Sequence, residues 1–124
     1  MRYVAVATDY DNTLAVGGRV EQKTIAVLER LNQSGRKIIL VTGRRLPDIL
    51  DIFPEIGLCE RVVADNGAVL YRPATREQIA LATPIPPGFV DELRRRQVAD
   101  LSVGESIVGT IRPHELTVLE VIRD

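Results

Sequence analysis

The sequence predicts an α/β fold organised around a parallel β-sheet. Three observations predict it. Short apolar, β-branched runs alternate with amphipathic or Pro-started helical stretches. The runs Tyr3–Thr8, Lys37–Thr42 and Arg61–Ala64 lack a helical period, as strands covered on both faces do. Each run ends in a polar cluster: Asp9-Tyr10-Asp11, Thr42-Gly43-Arg44 and Asp65-Asn66-Gly67. Open parallel sheets bind ligands beyond the carboxyl ends of their strands, so three independent strand ends are expected to converge on one site.

The elements follow in order. Tyr3–Thr8 reads as a first buried strand, and Gly17-Gly18 marks a flexible turn or flap after it. Ile25, Leu28 and Leu31 recur every three residues, which predicts an amphipathic helix over roughly Glu21 to Gln33, with Gly35 as its stop. Lys37–Thr42 is the second strand. Pro47 suits the first turn of a short helix ending near Phe53-Pro54, and Arg61–Ala64 is the third strand. Ala68–Tyr71 and Ile79–Ala82 predict a hairpin around Pro73-Ala74-Thr75, with Asn66-Gly67 as a tight-turn signal before it. Pro84-Ile85-Pro86-Pro87-Gly88 is a rigid linker. Beyond it a helix is expected over Phe89–Val98, a strand over Ser106–Ile111 and a helix over Glu115–Arg123.

Composition narrows the function classes. With 124 residues, 45% apolar and 27% charged, the chain has the make-up of about one globular domain. Aromatic residues are only 4%, so Val, Ile, Leu and Ala must fill the core. A net charge of -1 leaves no electrostatic footprint for nucleic acid or an anionic membrane. No apolar run approaches the ~20 residues that span a bilayer. Cys59 is the single cysteine, which excludes an internal disulfide and suits a reducing cytoplasm; a buried small hydrophobe is its expected role. His114, just after Pro113, is expected in a helix first turn rather than on a metal. Arg94-Arg95-Arg96 fans out over several helix faces and reads as solvated surface.

Asp9 and Asp11 carry the chemistry. Alternation along an extended backbone lets residues two apart face the same side. One carboxylate can attack a phosphorus centre, while the other passes a proton to the leaving oxygen and later takes one from water. Two anions beside a phosphate repel it, so a hard dication with oxygen ligands is expected, and Mg²⁺ fits because it keeps waters and needs few carboxylates.

The segment Asp9-Tyr10-Asp11-Asn12-Thr13-Leu14 resembles the first motif of the haloacid dehalogenase-like hydrolases, Asp-x-Asp-x-Thr. Val41-Thr42-Gly43-Arg44 resembles their second motif, and Asp65-Asn66-Gly67-Ala68 is similar to a segment of the branch with a large cap after the third strand, which includes sugar-phosphate phosphatases. The resemblance implies a Rossmann-like three-layer core with a parallel sheet, plus the first part of an α+β cap. It implies Asp9 as nucleophile and Asp11 as general acid and base, both on the Mg²⁺ side, with Asp11 contributing its backbone carbonyl. Thr42, Gly43, Arg44 and Asn66 are the implied phosphate- or substrate-side residues.

Departures from the family pattern shape the remaining expectations. Asn12 stands where Gly is common, and Asn tolerates left-handed backbone. After residue 72 there is no Lys to serve as the third motif, and no pair of acids at a strand end to serve as the fourth. The expected organisation is therefore a core over 1–72 and a hairpin, linker and partial cap over 73–124, forming the N-terminal piece of a longer enzyme. The isolated chain is expected to be inactive and to expose apolar sheet edge, which self-association would cover. The full protein is expected to be a cytoplasmic Mg²⁺-dependent phosphatase of a small phosphorylated metabolite, with a sugar phosphate as one candidate. A non-catalytic binding or assembly module of a larger protein is the alternative.

Overall fold

The computed structural model describes residues 2–124 and divides into two compact units, one running to Leu81 and one over Ala82–Asp124. In the first unit, β1 (Ala5–Asp9) leads through a two-stranded flap, β2 (Ala15–Val16) and β3 (Arg19–Val20), into α1 (Gln22–Gln33). Next come β4 (Lys37–Val41), α2 (Leu46–Ile52), a 3₁₀ turn over Pro54–Leu58 and β5 (Arg61–Ala64). The hairpin β6 (Val69–Arg72) and β7 (Glu77–Ala80) completes the unit. The sheet order is β1-β4-β5-β6-β7. β1, β4 and β5 pair in parallel, as predicted, while β6 and β7 join antiparallel, so the α/β sheet is mixed.

Local chemistry sets the element ends. Gly35 adopts φ +81° directly after α1, a left-handed conformation that glycine takes without a Cβ penalty and that ends the helix. Pro47 sits in the first turn of α2, where its missing N–H costs nothing.

The core lies on one face of this sheet. Ile38 and Leu40 from β4, Val62 and Ala64 from β5, and Val69 and Tyr71 from β6 are buried against Ile25 and Leu28 of α1 and Leu46 and Ile49 of α2. Alternation sends Ile39, Val41, Val63 and Leu70 to the opposite face, where Ile39, Val63 and Leu70 are half-buried and Val41 is exposed. One expectation is corrected here. β1 is an edge strand with Val6 exposed, and Tyr3 and Val4 before it are exposed too, so the first strand is not a buried one.

The division between units falls after Leu81, later than residue 72, because β7 pairs with β6 and so stays with the sheet. The second unit holds α3 (Pro87–Arg95), β8 (Ser102–Val103), β9 (Val108–Gly109) and α4 (Glu115–Arg123). The strand predicted over Ser106–Ile111 is instead the second arm of a small antiparallel pair. Leu93, Val98 and Val121 form its buried cluster, and Glu92 of α3 and Arg96 just after it link by ion pairs to each other and, through Arg96, to Asp124.

Candidate active site

The site is built where β1 and β4 end. Asp9 is the last residue of β1 and the register partner of Val41, so it stands beside the start of the Thr42-Gly43-Arg44 loop. The chain then turns sharply. The Tyr10 carbonyl accepts the N–H groups of Thr13, Leu14 and Ala15, and the Asn12 N–H donates to the Ala15 carbonyl. Asn12 takes φ +59°, the left-handed conformation that Asn tolerates, so its presence in place of glycine is accommodated. The Thr13 hydroxyl donates to the Asp9 carboxylate at 3.2 Å.

Asp11 lies in this turn, beyond the end of the strand, so strand alternation does not set its direction. Its partner does. Arg44 donates from Nε and Nη2 to the two Asp11 oxygens, both at 2.8 Å. These two charge-assisted bonds hold the Asp11 carboxyl below the usual carboxylate range, and Asp11 in turn raises the Arg44 guanidinium. Both side chains are partly exposed, so solvent tempers the effect.

Thr42 is buried. Its N–H donates to the Val63 carbonyl, and its Oγ1 accepts the Arg44 N–H at 3.1 Å. Gly43 permits a close approach: a Cβ there would lie 2.6 Å from the Asn66 Oδ1. Asp65, Asn66 and Gly67 all take positive φ, which bends the chain from β5 into the antiparallel β6 and sets Asn66 over Gly43. The turn role predicted for Asn66-Gly67 and a site position for Asn66 thus coexist.

Three contributors were not singled out from sequence. Tyr10 is fully buried between the two acids, and its hydroxyl donates to the Gly18 carbonyl of the flap at 2.9 Å. Asp65 accepts the Leu46 N–H at 2.9 Å, satisfying a free donor at the start of α2, and its own N–H donates to the Arg44 carbonyl. That pairing spans nineteen residues and leaves no local trace. Thr13 had a signal, the Thr of the first motif, but not its specific contact with Asp9.

The donor set suits a hard cation. One Asp9 oxygen is engaged by Thr13, and the Asp11 carbonyl takes no part in the turn hydrogen bonds, so a carboxylate oxygen and a carbonyl oxygen are offered side by side in sequence. Among the described residues no group of three or more His, Cys, Asp or Glu side chains converges to hold a metal.

Strand-end acids, a buried hydroxyl and a tight turn after β1 thus gather on one α/β sheet. The family model of haloacid dehalogenase-like hydrolases matches residues 6–96. The chain belongs to that family. It is 32% identical over 118 residues to a phosphoglycolate phosphatase from Aeropyrum pernix, an alignment covering 93% of this chain and 47% of that protein. The chain thus spans about half the length of the curated relative it matches. Among solved structures it is similar to a haloacid dehalogenase-like hydrolase from B. subtilis, at 24% identity and TM-score 0.63 over 94% of this chain and 42% of that one. It is also similar to one from Bacteroides thetaiotaomicron, at 16% identity and TM-score 0.69 over 98% and 50%. A subclass IIB sugar phosphatase of the superfamily matches at 24% identity and TM-score 0.58, covering 95% of this chain and 47% of that one. No helix is long and apolar enough to cross a membrane among the described residues.

Proposed function

We propose that this chain carries the nucleophile half of a Mg²⁺-dependent phosphatase that acts on a small phosphorylated metabolite. The observation that carries the reading is the turn after β1, where Asp9 receives the Thr13 hydroxyl and Asp11 follows two residues later beside the Thr42 loop. In this reading an Asp9 oxygen attacks phosphorus as the bond to the leaving oxygen breaks, giving an aspartyl-phosphate on Asp9. Asp11 delivers the proton that the leaving oxygen needs. Water then attacks phosphorus, Asp11 takes a proton from that water, and phosphate leaves with Asp9 regenerated. Thr42, the backbone N–H of Gly43 and Asn66 hold the transferring group, because hydrogen-bond donors fixed in advance stabilise its charge without reorganising. The Asp9 carboxylate and the Asp11 carbonyl would hold Mg²⁺, which supplies neutralisation of the phosphate charge when bound.

The relative that hydrolyses phosphoglycolate and the sugar phosphatase both support a small phosphate monoester as substrate; a sugar phosphate and a phosphorylated hydroxy acid are the two candidates. The setting we propose is cytoplasmic, residues 73–124 contribute part of a cap, and the edge strand β1 is the surface through which the isolated chain self-associates. Because only two acids meet here, the isolated chain is expected to turn over little or nothing.

Asp9→Asn in the full gene product tests the reading. Hydrolysis of p-nitrophenyl phosphate should fall by about 10³-fold or more, as when a covalent nucleophile is lost; turnover within tenfold of the parent would rule the mechanism out. A second reading, a non-catalytic module that binds phosphorylated ligands, is favoured by the Asp11 carboxylate being fully engaged by Arg44. Calorimetry with a phosphate analogue distinguishes it, through tight binding without Asp11-dependent turnover.

A further inference from the structure

The Arg44 guanidinium is directed at a protein carboxylate rather than into open space. We propose that Arg44 is a positioning residue: its fork fixes the Asp11 carboxylate and couples it to the flap, and it does not hold the substrate. This inference rests on the phosphatase reading for the role of Asp11, while the geometry behind it stands independently.

Two parallel bonds at 2.8 Å fix both the plane and the direction of a carboxylate, which a single bond or a point charge does not. The base of the Arg44 side chain is itself held. Its N–H donates to the buried Thr42 hydroxyl, and its carbonyl accepts the Asp65 N–H. The far side of the guanidinium meets the flap. Its carbon lies 5.9 Å from the centroid of the buried Tyr10 ring, and the Tyr10 hydroxyl is bonded to the Gly18 carbonyl. A Cβ on Gly18 would come within 3.7 Å of Nη2 and 3.0 Å of the Ile52 Cδ1, so the flap lies directly against Arg44 and α2. One side chain thus joins the turn after β1, the loop after β4 and the flap. A substrate oxygen that took the place of Asp11 on Nε or Nη2 would displace one of the two bonds and free the carboxylate to turn.

The test uses Arg44→Met and Arg44→Lys with two readouts. In amide hydrogen exchange of this chain, both variants should speed exchange over residues 12–20 by about tenfold, the equivalent of ~1.4 kcal/mol, while α1 amides stay unchanged. In the full gene product with p-nitrophenyl phosphate, both should lower kcat by roughly 10–100-fold, as small misplacements do, with KM within about twofold. Methylguanidinium should restore part of kcat to Arg44→Met. Lys is expected not to substitute, since an ammonium cannot span both oxygens. A raised KM with kcat kept would make Arg44 a substrate-binding residue and overturn the proposal. So would unchanged flap exchange, or a fully active Arg44→Lys. If the parent itself fails to turn over, the phosphatase reading falls, and flap exchange alone decides whether Arg44 positions Asp11.

Discussion

The two units stabilise themselves by different means. In the first, fourteen buried residues form one cluster between a sheet face and two helices, including Tyr10, Phe53, Ile38, Leu40 and Ile49 with almost no exposed surface. In the second, Val90, Leu93, Val98 and Val121 are buried, a cluster of only three forms, and ion pairs add to the link between helices: Arg96, directly after α3, reaches Glu120 and Asp124. Apolar burial is dense and insensitive to pH and salt, whereas exposed ion pairs contribute little each and depend on both. The contrast places the candidate chemistry on the rigid unit. Asp9, Asp11, Thr42, Gly43, Arg44 and Asn66 all lie in the first unit, braced by buried Tyr10 and Asp65.

Leu-to-Ala changes break this comparison most sharply. Leu40→Ala should cost about 2–5 kcal/mol, the range for a buried Leu with a residual cavity, and should speed amide exchange across β1, β4 and β5 together. Leu93→Ala carries the same chemistry into a cluster of three and should open residues 82–124 while leaving β4 and β5 protected. Residue-resolved hydrogen exchange measures both. Equal acceleration of β4 amides in the two variants would show that the units do not open separately.

A smaller effect sharpens the picture inside the first unit. Gly43→Ala places a Cβ 2.6 Å from Asn66 Oδ1, and the Asn66 side chain can swing away, so the cost should sit at the low end of the ~1–3 kcal/mol seen for overpacking. The functional effect should be larger than the structural one, because Asn66 leaves its place over the loop. Adding Asn66→Gly should recover stability but not phosphate-analogue binding, measured by thermal melts and calorimetry. Recovery of both would mean that Asn66 serves the turn alone.

How far the sequence foretold this structure depends on the range of each signal. The parallel strands, α1 and its Gly35 stop, the hairpin and the strand-end placement of all three motifs were legible because each rests on a local pattern. Asn12 at φ +59° follows from the tolerance of Asn for left-handed backbone. What was not legible depends on distant partners. Nothing near Arg44 indicates that it meets Asp11, thirty-three residues earlier, instead of a ligand. Nothing near Asp65 indicates the Leu46 N–H. The exposure of β1 is likewise a property of its place at the sheet edge, which its Val and Ala content does not encode.

Acid gives the gentlest separation of the two units. Bonds from Arg95 and Arg96 lower the Glu92 carboxyl to about 2 from its ordinary 4.5. A group depressed in the folded state contributes its full stabilisation above its unfolded value, and that contribution is lost as pH falls through the folded one. Between pH 4.5 and 2, then, the end of α3, where Glu92 meets Arg95 and Arg96, should loosen while the apolar cluster under the sheet holds. Asp11 shifts in the same direction through Arg44, so the turn after β1 should follow, but Tyr10 and the strands beneath it keep their burial. Amide signals at the end of α3 should therefore change before those of β4 and β5 in a pH titration, and 0.5 M salt at neutral pH should mimic a small part of the change. Glu92→Gln should abolish the response of the end of α3 to acid above pH 3 without moving that of the sheet, and a response that survives this substitution would assign the loosening to some other carboxylate.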